Sequence, residues 1–182
     1  MSVRILKNHS TNDNLLCLSE AIRKKLDKGE FSCGIFLDLQ KAFDSVDHNI
    51  LLTKLEYYGF RGITMKWIRS YLCDRKQYVS LEKVFSKSMP ITYGVPQGSV
   101  LGPLFFLLYI NDLQKCLKYS KSFIFADDTA LLLSHTSLKA LKKRLNIDLK
   151  LLHHWLCSNK IGLNVTVKVL TLLIIYQMTN HK

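Results

Sequence analysis

The chain has 182 residues, of which 26 are Lys or Arg and 14 are Asp or Glu, so its formal charge at neutral pH is +12. This length allows one domain with a hydrophobic core, and the excess positive charge favours a polyanionic partner, which nucleic acid fits best. The longest apolar runs, residues 100–110 and 169–176, are shorter than the ~20 residues that a helix needs to span a bilayer. We therefore expect no membrane span, and no signal peptide is visible.

Cysteine and histidine spacing gives no sign of a metal centre. The five cysteines are widely separated and lack the Cys-x-x-Cys spacing of a zinc site or the pattern of a disulfide framework, standing at positions 17, 33, 73, 116 and 157. His153 and His154 would point about 100° apart on a helix and lack partner ligands. We therefore expect free thiols in a reducing, intracellular compartment.

Basic residues cluster at Arg23-Lys24-Lys25, at residues 115–121 and at residues 139–144. The last cluster falls on a predicted helix whose other face carries leucines at helical spacing. Each cluster is also typical of the solvated face of an ordinary helix. None is therefore assigned to a contact individually.

Hydrophobic periodicity predicts a helix over residues 11–28, a strand over 31–38, and helices over 49–58 and 63–73. Hairpin strands over 77–85 and 89–93 follow, and then a buried helix over 104–113. The last predicted elements are hairpin strands over 123–126 and 129–133 and a helix over 137–158. Gly29 ends the first helix, while Asp47 can cap the second and Gly59 can end it. Strands and helices in mixed order, without strict βαβ alternation, favour an α+β fold with an antiparallel sheet backed by helices.

Three acidic residues stand at the ends of apolar runs. Asp38 closes the run before it, and Asp127-Asp128 lies between two β-capable runs, at the tip of a predicted hairpin. Nucleotidyl transfer uses two divalent cations about 3.5–4 Å apart, and carboxylates on rigid strand ends are the hard ligands that such ions prefer. An acidic surface turn is the alternative, but the position between two buried strands favours a two-metal site.

A glycine-rich loop, Gly94-Val-Pro-Gln-Gly-Ser-Val-Leu-Gly-Pro103, lies between the two acidic positions. Its glycines allow the main chain to approach a ligand closely, and the Gln97 amide can hydrogen-bond a sugar, a base edge or the backbone. A loop that only joins a strand to a helix is the open alternative. Phe43, five residues after Asp38, is able to lie beside whatever the metals hold.

With these segments in this order, the chain closely resembles the reverse transcriptases of non-LTR, LINE-like retrotransposons, nearest to the jockey-type elements. The resemblance rests on Phe36-Leu-Asp38, Lys41-Ala-Phe-Asp44-Ser-Val-Asp-His48, the loop from Gly94 to Pro103, Tyr109-Ile-Asn-Asp-Leu113 and Phe125-Ala-Asp-Asp128. Further similarity appears in Lys7-Asn-His-Ser-Thr11, Trp155-Leu-Cys-Ser-Asn-Lys160 and Leu163-Asn-Val165. The similar region spans about residues 5–168.

The resemblance implies an RNA-directed DNA polymerase whose palm carries the catalytic carboxylates. Asp38 and Asp127 would be the principal ligands of two Mg²⁺ ions, with Asp128 in support and Mn²⁺ as the alternative metal. Phe43 matches the bulky residue that excludes a ribose 2′-hydroxyl. Gln97 and Gly98 match the loop that contacts the incoming nucleotide and the template.

The implied partners are an RNA template, a DNA primer and a deoxynucleoside triphosphate, in the cytoplasm or the nucleus. Lys41 and Asp44 also match family positions, for which a structural ion pair explains as much as a catalytic role. The alternative function is a non-catalytic nucleic-acid-binding remnant of a decayed element. An RNA polymerase on a similar palm is disfavoured by Phe43.

The same resemblance divides the chain into a fingers remnant at residues 1–30, a palm at 31–168 and a divergent tail at 169–182. Arg4-Ile-Leu6 stands where the family usually has Gly-Phe-Arg, and Val167 stands where it has a Lys, with Lys168 one position later. We expect neither the remaining fingers strands nor a thumb in this chain. Since the thumb helps to position the primer, poor extension by the chain alone is expected.

Overall fold

The computed structural model describes residues 11–73, 75–96, 98–125, 128–164 and 171–175, with the backbone alone described at 11–15, 125 and 171–175. The chain forms two compact units. Among the described residues, the helical unit is Lys41–Ile110, and the sheet unit combines residues 11–40 with those from Asn111 onward.

The elements in chain order are α1 (Thr11–Leu26), β1 (Phe31–Asp38), α2 (His48–Tyr57), α3 (Gly62–Leu72), β2 (Lys76–Gln77), β3 (Ser80–Leu81), β4 (Val84–Phe85), β5 (Met89–Pro90), α4 (Leu101–Ile110), α5 (Leu113–Cys116), β6 (Lys121–Phe125), β7 (Asp128–His135), α6 (Leu138–Ser158) and β8 (Thr171–Ile175). Their mixed order confirms the predicted α+β class. No helix in the described part of the chain is long and apolar enough to cross a membrane.

The sheet unit is built on a four-stranded antiparallel sheet in the order β6-β7-β1-β8. β1 pairs with β7 as far as Asp38 opposite Asp128, and β6 forms a hairpin with β7 in which Phe125 lies opposite Asp128. The predicted antiparallel sheet and acidic hairpin are confirmed. β8 pairs with the other edge of β1. It lies in the predicted divergent tail, for which the sequence predicted no element. A short run of β-capable apolar residues can complete a free sheet edge.

Side chains alternate across β1 and β7, so the two faces of the sheet have different neighbours. The even-numbered side chains of β1, from Ser32 to Asp38, share the face on which Leu18 of α1 packs with Ala130 and Leu132. The odd-numbered side chains, from Cys33 to Leu37, are buried on the other face. That face is covered by α6, which contacts both β7 and β1.

The helical unit packs α2 against α3 and α4. Asp47 caps α2 as predicted, because its carboxylate accepts the N–H groups of Asn49 at 2.9 Å and Ile50 at 3.0 Å and so satisfies amides that have no partner inside the helix. The buried side chains at the centre of this unit are Leu51, Leu55, Leu72, Phe106 and Tyr109.

The buried helix predicted over residues 104–113 begins earlier and ends earlier than expected, since α4 spans Leu101–Ile110 and α5 starts separately. Ser99 explains the early start. Its hydroxyl accepts the N–H of Gly102 at 3.0 Å and so caps the first turn. Pro103 falls in that turn, where its missing N–H costs nothing.

The hairpin predicted from residues 77–85 and 89–93 forms with a different pairing. β2 pairs with β5, and between them β3 pairs with β4, so residues 77–85 turn back on themselves. Glu82 and Lys83 make this turn at φ values of 46° and 70°, which is the backbone of a two-residue type I′ loop. The turn escaped prediction because neither residue is the Asn or Gly that usually marks it.

A buried carboxylate fixes the chain where it enters β6. Asp148 of α6 is 1% exposed. Its oxygens accept the N–H groups of Lys118 at 3.0 Å, Tyr119 at 3.0 Å and Ser120 at 2.6 Å. Because Ser120 directly precedes β6, these charge-assisted bonds hold the strand that leads to the acidic hairpin.

We expect Asp148→Asn to lower the free energy of unfolding by about 2 kcal/mol or more, because the amide loses the charge and turns N–H groups toward donors. Urea denaturation followed by circular dichroism measures it. Asp27→Asn, at an exposed position after α1, is the control and should change the value by less than about 0.5 kcal/mol. Equal losses in the two variants would contradict the structural role of Asp148.

Candidate active site

The sheet unit brings two of the three predicted carboxylates together. Asp38 ends β1, Asp128 begins β7, and the register sets them directly opposite each other. Residues paired in this way have Cβ atoms about 4.5–5.5 Å apart and side chains on one face of the sheet. Asp38 is half-buried and Asp128 is exposed, so both carboxylates are accessible to a ligand from this edge.

Asn164 holds Asp38 in place. The Asn164 backbone N–H donates to the Asp38 carbonyl oxygen at 2.9 Å, and its side-chain Nδ2 donates to Asp38 Oδ2 at 3.3 Å. Leu163, the preceding residue, forms a bridge with Leu39. The sequence indicated Asn164 only as part of a motif shared with the family. Its contact with Asp38 was not predicted, because the two residues are 126 positions apart and no local pattern pairs them.

The donors at this edge fit a hard divalent cation, since both are carboxylates on neighbouring strands. Asp127, the third predicted ligand, lies outside the described residues. Within the described ranges, no group of three or more His, Cys, Asp or Glu side chains is gathered closely enough to hold a metal. Asp127 is the further ligand that the sequence predicts for a metal at this edge.

In the helical unit, Phe43 packs against the glycine-rich loop. Its carbonyl oxygen accepts the N–H of Val95 at 2.9 Å, and the Val46 carbonyl oxygen accepts the N–H of Gly94 at 2.8 Å. The Phe43 ring lies 5.1 Å from the ring of Phe106, centroid to centroid. The segment that follows Asp38 and the loop before α4, predicted separately, are thus joined through Phe43.

Gly94 makes this contact possible. Its φ is +84°, and a Cβ there would lie 3.1 Å from the Cα and 3.2 Å from the carbonyl oxygen of Asp44. His48, which sequence reasoning gave no role, adds a buried hydrogen bond of 2.7 Å between its Nε2 and the Gly94 carbonyl oxygen. The absence of a side chain at position 94 therefore lets two backbone segments touch.

The rest of the loop is described in part. Gln97 lies outside the described residues. Gly98 has a φ of +75°, and a Cβ there would meet no atom within 4 Å. The space beside the Gly98 Cα is thus empty. A ligand could approach the main chain closely at this position.

Two cysteines have thiols that are less acidic than an ordinary cysteine. Burial raises the pKa of Cys33. Burial, and then the nearby charges of Asp112 and Asp148, raise the pKa of Cys116 to about 11. A raised pKa keeps a thiol protonated at neutral pH, whereas a nucleophilic cysteine is a thiolate. All five cysteines are free.

The sequence model of the family described as reverse transcriptase (RNA-dependent DNA polymerase) matches residues 2–168. The chain belongs to this family. Enzymes of the family generally use divalent metal ions, which the paired carboxylates of this reverse-transcriptase chain are chemically suited to bind.

The relatives include polymerases of mobile elements. The chain is 35% identical over 141 residues to the probable RNA-directed DNA polymerase from transposon BS of Drosophila melanogaster, a match that covers 70% of this chain and 15% of that protein. It is 31% identical over 154 residues to the RNA-directed DNA polymerase from mobile element jockey of the same species, covering 81% of this chain and 17% of that protein. The predicted resemblance to jockey-type elements is confirmed.

Solved structures with the same fold include two telomerases. That of Candida albicans, in complex with a fragment of telomeric RNA, has a TM-score of 0.63 at 16% identity and covers 94% of this chain and 31% of that one. The apo telomerase of Candida tropicalis has a TM-score of 0.64 at 16% identity, covering 91% and 36%. At this identity the likeness concerns the fold alone, and it confirms the predicted polymerase palm.

Two glycines of the loop offer a matched test of the contact at Asp44. Gly94→Ala should lower the free energy of unfolding by more than Gly98→Ala. Both residues have positive φ, which costs an L-residue about 1–2 kcal/mol, but only Gly94 is close to another backbone segment. Thermal and urea denaturation of the two variants measure the difference. Equal destabilisation would mean that the close approach is unimportant.

Proposed function

We propose that this chain supplies the palm of an RNA-directed DNA polymerase of a mobile element, which joins deoxynucleotides to a primer by two-metal nucleotidyl transfer. The observation that carries the proposal is the cross-strand pairing of Asp38 with Asp128 in a chain of the reverse transcriptase family. The partners would be an RNA template, a DNA primer and a deoxynucleoside triphosphate. The relatives are several times longer than this chain, which matches 15% and 17% of two of them. The proposed activity would therefore belong to a longer polymerase that contains this palm.

The carboxylates would hold the metal. Asp38 and Asp127 would be the main ligands of two Mg²⁺ or Mn²⁺ ions, with Asp128 in support, and Asn164 would keep Asp38 oriented through its side-chain hydrogen bond. When bound, the ions would activate the attacking oxygen and neutralise charge on the phosphates. In the transfer, a bond would form between the primer 3′-oxygen and the α-phosphorus while the bond from that phosphorus to the leaving pyrophosphate breaks, and the hydroxyl proton would pass to water.

Phe43 would select the sugar. Its ring is held by Phe106, and its carbonyl oxygen is bonded to the loop, so it cannot easily move aside. A rigid ring beneath the sugar leaves no room for a 2′-hydroxyl. Gly98 and Gln97 would present backbone and amide groups to the incoming nucleotide and the template.

The metal site is tested by binding as well as by activity. We expect Asp38→Asn and Asp128→Asn each to weaken Mn²⁺ binding by about 100-fold or more, measured by electron paramagnetic resonance, because even groups that only orient a metal ligand contribute about 10–100-fold. Primer extension on an RNA template, low in the parent chain, should fall below detection in both variants.

Asp27→Asn is the matched control, since it removes the same charge at an exposed position and should leave Mn²⁺ binding unchanged. If the parent binds Mn²⁺ no better than the two variants, the two-metal proposal is wrong. The chain is then better described as a non-catalytic nucleic-acid-binding remnant.

The sugar gate is tested in a full-length polymerase that carries this palm. Phe43→Ala should raise ribonucleotide incorporation relative to deoxynucleotide incorporation by about tenfold or more, because a steric penalty of only 1.4 kcal/mol is already tenfold. Phe43→Tyr, which keeps the ring, should retain the parent's discrimination. Unchanged discrimination in the alanine variant would refute the assignment.

A further inference from the structure

The exposed charges of α6 are all of one sign. The helix carries five basic residues, of which Arg144 is half-buried and the others are exposed, and Asp148 is its one acidic residue. Asp148 is buried and bonded to backbone amides, so it offers no charge to the solvent-facing lysines. An ordinary solvated helix mixes signs, as α1 does where Lys24 pairs with Glu20 at 3.7 Å.

The structure also joins two basic clusters that the sequence left separate. The Arg144 guanidinium lies 5.0 Å from the centre of the Tyr119 ring, and Lys118 Nζ lies 5.5 Å from the same ring. The loop from Lys118 to Ser120 is bound to Asp148. The Tyr119 contacts join Lys118 to the helix, and the α6 basic surface consists of Lys118, Lys139, Lys143, Arg144 and Lys150.

Three of these residues form a row along the helix. Lys139, Lys143 and Lys150 are all exposed, and at 100° per residue they fall within about 40° of one direction. At 1.5 Å per residue the row is about 16 Å long, which matches about five phosphates along one strand of a duplex at 3.4 Å each. Like charges in such a row repel one another unless an anion lies against them.

This surface lies away from the carboxylates. Asp38 shares the even-numbered face of β1, on which α1 packs, whereas α6 covers the odd-numbered face. The lysine row points outward from α6, on the far side of that helix from the sheet. Phosphates bound there would belong to a different segment of nucleic acid from the one at Asp38 and Asp128.

We propose that the α6 basic surface binds the phosphate backbone of a nucleic-acid duplex, independently of the catalytic edge and of its metal chemistry. A duplex fits better than a single strand, because single-strand sites stack bases on exposed aromatic rings, and Tyr119, the one ring of this surface, is already covered by Arg144 and Lys118. Contacts made only by lysine and arginine to phosphate carry no sequence preference.

The test compares two triple variants of the 182-residue chain. Lys139→Gln/Lys143→Gln/Lys150→Gln removes the row. Lys24→Gln/Lys25→Gln/Lys28→Gln removes the same charge from the α1 end, where Lys24 and Lys25 have acidic partners at 3.7 and 3.2 Å. Affinity for a fluorescent 20-base-pair duplex is measured by anisotropy over a series of salt concentrations, with RNA and DNA duplexes as separate arms.

We expect the row variant to bind at least about tenfold more weakly at low salt, and its log–log salt slope to become less steep by about 2–3, since each phosphate contact contributes about 0.9. The α1 variant should change the slope by less than about 1. Lys143→Glu, a single reversal, should weaken binding more than Lys24→Glu.

Equal losses in the two triple variants would show that only net charge matters and would overturn the proposal. A loss confined to a single-stranded probe, or to anionic phosphatidylserine vesicles, would overturn it as well. The row variant should bind Mn²⁺ as the parent does, so failure of the metal site and failure of this surface are distinguishable.

Discussion

The antiparallel register between β1 and β7 is the constraint on which the acidic edge of the sheet depends. It sets Asp38 opposite Asp128, and because side chains alternate with a period of two, a slip of one residue in β1 would turn Asp38 toward the face that α6 covers. A carboxylate there would be buried without a partner, at a large cost. Apolar packing on both faces therefore opposes the slip and keeps the two carboxylates on one side.

The helical unit depends on a backbone contact in the same way. Gly94 lies so close to Asp44 that a Cβ would fit only if the Asp44 backbone shifted. The bonds from Gly94 to Val46 and from Val95 to Phe43 fix the loop against the segment after Asp38. His48 closes the contact from the buried side. Phe43 is thus held by main-chain hydrogen bonds to the loop and by the Phe106 ring.

Local signals predicted much of this fold. The helical spacing before Gly29, the Asp47 cap and the leucine stripe of α6 each act within a few residues, and the structure contains all three elements. The type I′ turn at Glu82-Lys83 was missed because its residues are unusual for that turn. Other features depend on distant pairings: His48 bonds to Gly94, Asn164 bonds to Asp38, and β8 pairs with β1. These partners lie between 46 and 143 residues apart in the chain, and no local pattern encodes such pairings.

Burial of Asp148 links the fold to the charge of its surface. A helix as long as α6 could stabilise itself with pairs of opposite charge on its exposed face, but it is held instead by its apolar stripe, by the Ser137 cap and by the Asp148 bonds to the chain before β6. Because these interactions are all internal or at the helix start, the solvent-facing lysines are not needed for folding. Their repulsion is tolerated only because the core outweighs it. The palm thus carries the Asp38 and Asp128 carboxylates on the face that α1 packs against, and the solvent-facing lysines of α6 lie on the far side of the helix that covers the other face.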